Sequence, residues 1–128
     1  MLASITRIFN SSHFLQPTDA EPLRSIVTAS EHAVIVAWHV KPGQTIAAHI
    51  HPNGQDTWTI LSGEGAYYVD EVGTTQPIGA GDVVVAYPNC VHGVYNDGDE
   101  PLTFISVVTP AEAGYQLMAL ASHSMLHV

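Results

Sequence analysis

The segment TIAAHIHPNGQDTWTIL, residues 45–61, holds two short runs rich in Thr, Ile and Trp on either side of Pro52-Asn53-Gly54-Gln55. β-Branched and aromatic residues suit a pleated, half-buried surface. Asn-Gly between two such runs is a strong hairpin signal, because both central residues of a type I′ turn need φ > 0. The spacing predicts strands over 45–51 and 56–61 joined as a hairpin with Asn53 and Gly54 at its tip. His51 then lies opposite Asp56, and His49 opposite Trp58. Residues two apart on a strand share a face, and so do directly paired residues. His49, His51 and Asp56 therefore converge, while Gln55 falls on the other face unless a bulge shifts the register by one. Two imidazoles and a carboxylate suit a divalent first-row metal ion. A half-polar strand that merely alternates would show the same His-x-His spacing, so the pair by itself decides little.

Outward from this segment, turn chemistry recurs about every ten residues. Pro42-Gly43, Ser62-Gly63, Gly79-Ala80-Gly81, Pro88-Asn89 and Asn96-Asp97-Gly98 are residues that favour turns. Between them lie runs over 33–40, 65–70, 82–87, 92–96 and 102–108 with strand composition. This pattern predicts an all-β sandwich or barrel of short strands over about 33–108, in a single domain of 128 residues. Residues 1–32 form a poorly patterned N-terminal arm with room for one extra strand. At the other end, Thr109-Pro110-Ala111-Glu112 reads as a capping box, with Thr109 as N-cap and Pro110 in the first turn. A short C-terminal helix over about 110–121 is expected, its Leu117, Met118 and Leu120 covering one barrel end or a partner subunit.

Two longer spacings carry a resemblance. Gly43, His49, His51, Asp56 and Gly63 fall at the intervals of the first motif of the cupin superfamily, with Asp where that motif has Glu. Gly81, His92 and Asn96, in GDVVVAYPNCVHGVYN, fall at the intervals of the second. There Tyr87 stands at the motif's Pro position, and Asn89 replaces its second Gly. Asn is the least costly non-Gly residue in a left-handed turn, so that exchange is mild.

The resemblance implies a double-stranded β-helix, the cupin or jelly-roll barrel, with His92 reaching the metal from an opposing strand. It implies the ligand set His49, His51, His92 and Asp56. Because Asp is one methylene shorter than Glu, Gln55 stays open as the fourth ligand. One divalent transition metal ion (Fe, Ni, Zn, Mn or Cu) is expected, and imidazole-rich sites do not separate these. Trp58, Val94 and Asn96 should face the same interior, giving an apolar pocket for a small-molecule ligand. Trp58 is read chiefly as a core aromatic and Asn96 as a brace for the strand end. Cys90 is read as an inert, partly buried thiol. His13, His32, His39, His123 and His127 match no ligand spacing.

Composition narrows the functions. The chain is 46% hydrophobic and 12% charged, with a formal net charge of −9 and only three Lys and Arg. Binding nucleic acid or anionic membranes relies on Lys and Arg clusters, so neither partner is expected. A lone cysteine, and no apolar run long enough to span a bilayer, point to a soluble cytoplasmic protein. An apolar N-terminal set (Ile5, Ile8, Phe9, Phe14, Leu15) and the edge-to-edge pairing habit of the resembled family imply a homodimer. No phosphate loop, nucleophile elbow or dinucleotide fingerprint occurs. Two functions follow: a metalloenzyme acting on a small oxygenated or aromatic molecule by dioxygenase-like or Lewis-acid chemistry, or a non-catalytic metal or small-ligand binding module.

Overall fold

The computed structural model describes residues 5–119. Ten strands follow one 3-10 turn at Ser11–His13: β1 Ser25–Ala29, β2 Val34–Val40, β3 Thr45–Ile50, β4 Gln55–Ser62, β5 Glu64–Tyr68, β6 Thr75–Gly79, β7 Val83–Ala86, β8 His92–Tyr95, β9 Leu102–Thr109 and β10 Gln116–Leu117. They form two five-stranded antiparallel sheets, ordered β1-β2-β9-β4-β7 and β10-β3-β8-β5-β6. The expected double-stranded β-helix is the architecture observed.

Alternation along the strands builds the interior. On β4, Asp56, Trp58 and Ile60 are buried, whereas Thr59 is exposed. On β9, Leu102, Phe104, Ser106 and Val108 point inward by the same period of two. Trp58 stacks on Phe104 with ring centroids 4.2 Å apart, and Tyr67 meets Trp58 edge-on at 5.3 Å. Ile60, Leu102 and Phe104 are essentially sealed from solvent, each contributing roughly 1.5–3 kcal/mol through burial. This apolar plug fills one part of the barrel and leaves the polar inward positions, Asp56 and Ser106, at the other.

Three local expectations need correction. β3 and β4 are not a hairpin: β3 pairs with β8 and β10, whereas β4 pairs with β7 and β9 in the facing sheet. Neither Asn53 nor Gly54 has positive φ. Gly54 is needed for close approach, since a Cβ there would collide with the Ala113 side chain and lie 2.7 Å from the Thr109 carbonyl oxygen. The turn is thus clamped beneath the 109–114 segment, with Asn53 N–H donating to the Ala113 carbonyl at 2.7 Å.

The same clamp explains why no helix starts at Thr109. That residue belongs to β9, opposite Gln55. Gly114 adopts φ +78°, and Gln116 and Leu117 then pair with Ile50 and His49 as β10. Of the expected helix, residues 120 and 121 lie outside the described residues. Met118 does cover a barrel end, packing with Val91 against Ala48 and Tyr68.

The third correction is β6, which carries Pro77 and Gly79 in a stretch where no strand was expected, Gly79 being assigned to a turn. It is an edge strand, where a missing ladder N–H is tolerated. β1 is the extra strand for which the N-terminal arm has room. Asn89, at φ 67°, is the left-handed non-glycine that the second motif's Gly-to-Asn exchange implied.

Candidate metal centre

His49 and His92 face each other across the β3–β8 ladder, after a register irregularity between Ile46 and His49. His51 lies one residue past the end of β3, and Asp56 enters from β4 in the other sheet. The hairpin argument therefore reached the convergence of His49, His51 and Asp56 by the wrong pairing. The two sheets face one another, and inward positions on both meet in the barrel. The four side chains offer ligand atoms all within 4.8 Å of one another, a group that can hold a metal ion. Ligand bonds of ~2.1 Å would draw such donors together with only small side-chain movements. Gln55 is on the alternate face, where its amide donates to Thr57 Oγ1 at 3.2 Å.

The hydrogen bonds decide which imidazole nitrogens face inward. His49 Nδ1 bonds the Ala47 carbonyl at 2.7 Å, His51 Nδ1 the Gly114 carbonyl at 2.7 Å, and His92 Nδ1 the Cys90 carbonyl at 3.0 Å. A carbonyl oxygen can only accept, so each Nδ1 carries the proton, and each neutral ring then presents a lone pair at Nε2. Backbone acceptors of this kind orient metal-ligating histidines. Two of these Nε2 atoms lie close to Asp56 Oδ2, His92 at 3.1 Å and His51 at 3.4 Å. Lone pairs facing a carboxylate oxygen require a positive charge between them, either a proton or a cation. The Nε2 of His51 is buried and makes no hydrogen bond.

Electrostatics agree with that demand. Burial by itself would raise the Asp56 carboxyl, but His51, His92 and the Ser106 hydroxyl, which donates to Oδ1 at 2.6 Å, hold it well below the usual carboxylate range. Asp56 is thus an anion buried at 4% exposure. Burial, joined by the charge of His92, lowers His49 to about 4, so it is a neutral imidazole at physiological pH. Burial also opposes protonation of His51, but Asp56 and the Gly114 carbonyl outweigh it and raise that ring above its ordinary value.

A cavity of about 530 Å³ opens beside His49, His51 and Asp56, with Val34, Val36, Trp38, Ile46 and Val108 along its wall. An apolar pocket is present as expected and Trp58 borders it, but Val94, packed in the core, and Asn96 do not line it. Sequence reasoning missed three of its polar members. Ser106 was legible as the one hydroxyl on the inward face of an otherwise apolar strand, and Arg24 was notable as one of three cations. Nothing marked Tyr115, whose ring centre stands 5.1 Å from that of His49 and 6.2 Å from that of His51. Asn96 braces backbone as expected, donating to the Val40 and Glu100 carbonyls at 2.9 Å. Cys90 is exposed, not partly buried. Among the described residues outside the ligand set, His13 and His32 are exposed, and His39 is half-buried on β2.

Comparison with known proteins places this geometry. The family described as Cupin domain matches residues 36–108. An oxalate-binding protein from Thermotoga maritima is 33% identical over 67 residues, 52% of this chain, and the match spans only 54% of that curated relative's length. A solved structure from Klebsiella pneumoniae, an uncharacterised conserved protein with a double-stranded β-helix domain, is 46% identical. It covers 89% of this chain and 98% of its own, with a TM-score of 0.86. A structure from work on the Mn(II) centres of Bacillus subtilis oxalate decarboxylase is 24% identical with a TM-score of 0.66. It covers 78% of this chain but 29% of its own, and so speaks to the fold. No helix among the described residues is long and apolar enough to cross a membrane.

Proposed function

This chain belongs to the cupin family, and from that premise we propose that it is a metal-dependent protein in which His49, His51 and His92, through Nε2, and Asp56, through its carboxylate, hold one divalent first-row ion. The observation that carries this reading is the hydrogen bonding of the three rings. Every Nδ1 is committed to a backbone carbonyl, so each ring turns its Nε2 toward the interior, and those of His51 and His92 stand against the buried Asp56 carboxylate. When bound, the ion supplies Lewis acidity or a binding place for oxygen ligands. With Asp56 at the ion, Gln55 is left to the outer face of β4.

The ligand is a small oxygen-bearing molecule that enters the cavity and meets the ion at positions the four side chains leave open. The protein's own residues bind and orient it. His49, His51 and His92 are fixed by the backbone, Ser106 holds Asp56 in place, and the aliphatic wall excludes water. The preferred reading is a metalloenzyme acting on such a molecule. A second reading, a binding module without turnover, is favoured by one observation, the 33% identity to a protein named for binding oxalate.

Metal analysis of protein made without an affinity tag, followed by oxygen-electrode and carbon dioxide assays on a panel of small carboxylates and phenols, separates the two. Bound Fe, Mn or Cu with substrate-dependent gas exchange supports the enzyme. A bound ion with saturable ligand binding and no turnover supports the module. Protein that takes up none of Fe, Mn, Cu, Zn or Ni refutes both.

A further inference from the structure

The cavity is too large and too apolar for the smallest ligand its relatives suggest. Its volume of about 530 Å³ sits within the range of sites for whole organic molecules. A two-carbon dianion at the ion would leave the side chains of Val34, Val36, Trp38, Ile46 and Val108 facing water. One polar feature of the same cavity is unused by the metal site. Arg24, in a chain of net charge −9 with only three Lys and Arg, lines the cavity.

These features select a ligand by chemistry. A divalent ion facing three neutral imidazoles and one carboxylate retains one positive charge, and Arg24 adds a second, so the ligand is anionic. The apolar wall requires a hydrocarbon body, since apolar surface left wet contributes nothing to binding. Resting on the metal reading above, we propose that the site takes a 2-oxo or 2-hydroxy carboxylate bearing a branched aliphatic or single-ring side chain. Its paired oxygens meet the ion, its carboxylate lies in the field of Arg24, and its side chain lies against Val34, Val36 and Val108.

The test uses the full chain loaded with zinc, a redox-inert ion that separates binding from turnover. Elemental analysis first establishes one zinc per chain. Calorimetric titrations with oxalate, pyruvate, 4-methyl-2-oxopentanoate and phenylpyruvate then follow. Affinity should rise at least about tenfold from pyruvate to the larger 2-oxo acids, with oxalate no tighter than pyruvate. Arg24→Gln, at an exposed position, should weaken every anion about tenfold while zinc content stays at one. A flat series, or oxalate as the tightest ligand with Arg24→Gln indistinguishable from the parent, overturns this inference and leaves the metal reading standing. A chain that takes up no zinc overturns both.

Discussion

Asp56 is the residue on which the site's charge balance turns. Its carboxylate is buried between two imidazole nitrogens and the Ser106 hydroxyl, and a buried anion without partners is costly. Asp56→Ala should therefore reduce metal affinity by at least about tenfold, whereas Gln55→Ala, whose amide bonds Thr57 on the other face, should leave it unchanged. Isothermal titration of the two variants with the same ion checks this, and the reverse order would assign the fourth ligand to Gln55. His49 supplies a pH prediction. Its folded-state pKa is depressed to about 4, below the ~6.5 of an unfolded chain. Between those values the unfolded state binds the proton and the folded state does not, so stability of the metal-free protein falls as pH drops from about 6.5 to 4. The loss is about 3 kcal/mol at most. Protons also compete with the ion for the imidazoles, so bound metal should leave cooperatively below about pH 6. Thermal melts and a chelating indicator followed from pH 8 to 4 measure both; melting points independent of pH over that range would contradict the His49 argument.

At the scale of elements, the strands were legible wherever one face is buried and one is wet. β2, β3, β4, β8 and β9 each show a run of β-branched or aromatic residues bounded by turn chemistry, and each was placed within a residue or two. What could not be read was partnership. Pro52-Asn53-Gly54-Gln55 looks like a hairpin tip because local chemistry carries no record of which sheet a strand joins. The true role of Gly54, room for Ala113, depends on a residue 59 positions away in the chain. The C-terminal helix failed for a related reason: Thr109 had a ladder partner in Gln55 that outcompeted its role as a cap. The three histidines that converge in the barrel were legible because motif spacing carries them. Arg24 and Tyr115 were not, because both come from outside the patterned barrel. The clamp yields its own prediction. Gly54→Ala should lower stability by about 1–3 kcal/mol through overpacking. It should also weaken metal binding, since the displaced segment includes Gly114, whose carbonyl orients His51. Chemical denaturation with and without metal reads both effects; an unchanged midpoint would contradict the close packing.

For the whole molecule, a two-sheet barrel whose edge strands and N-terminal arm remain apolar and exposed invites a partner. Ile5 and Ile8 are 71% and 91% exposed, and Ile26 on the edge strand β1 is 48% exposed. We expect a homodimer, with sedimentation at micromolar concentration giving twice the 13.7 kDa chain mass; a monomer there would remove the expectation. The barrel brings four side chains from three strands and a turn to one place. That organisation makes the metal site separable from the fold, because the ligands hang from strands that are already paired. The most direct measurement is elemental analysis of untagged protein and its His51→Ala variant, both verified as folded by circular dichroism. The account predicts one divalent ion per chain in the parent and less than about a tenth of that in the variant. Full occupancy in folded His51→Ala would contradict it.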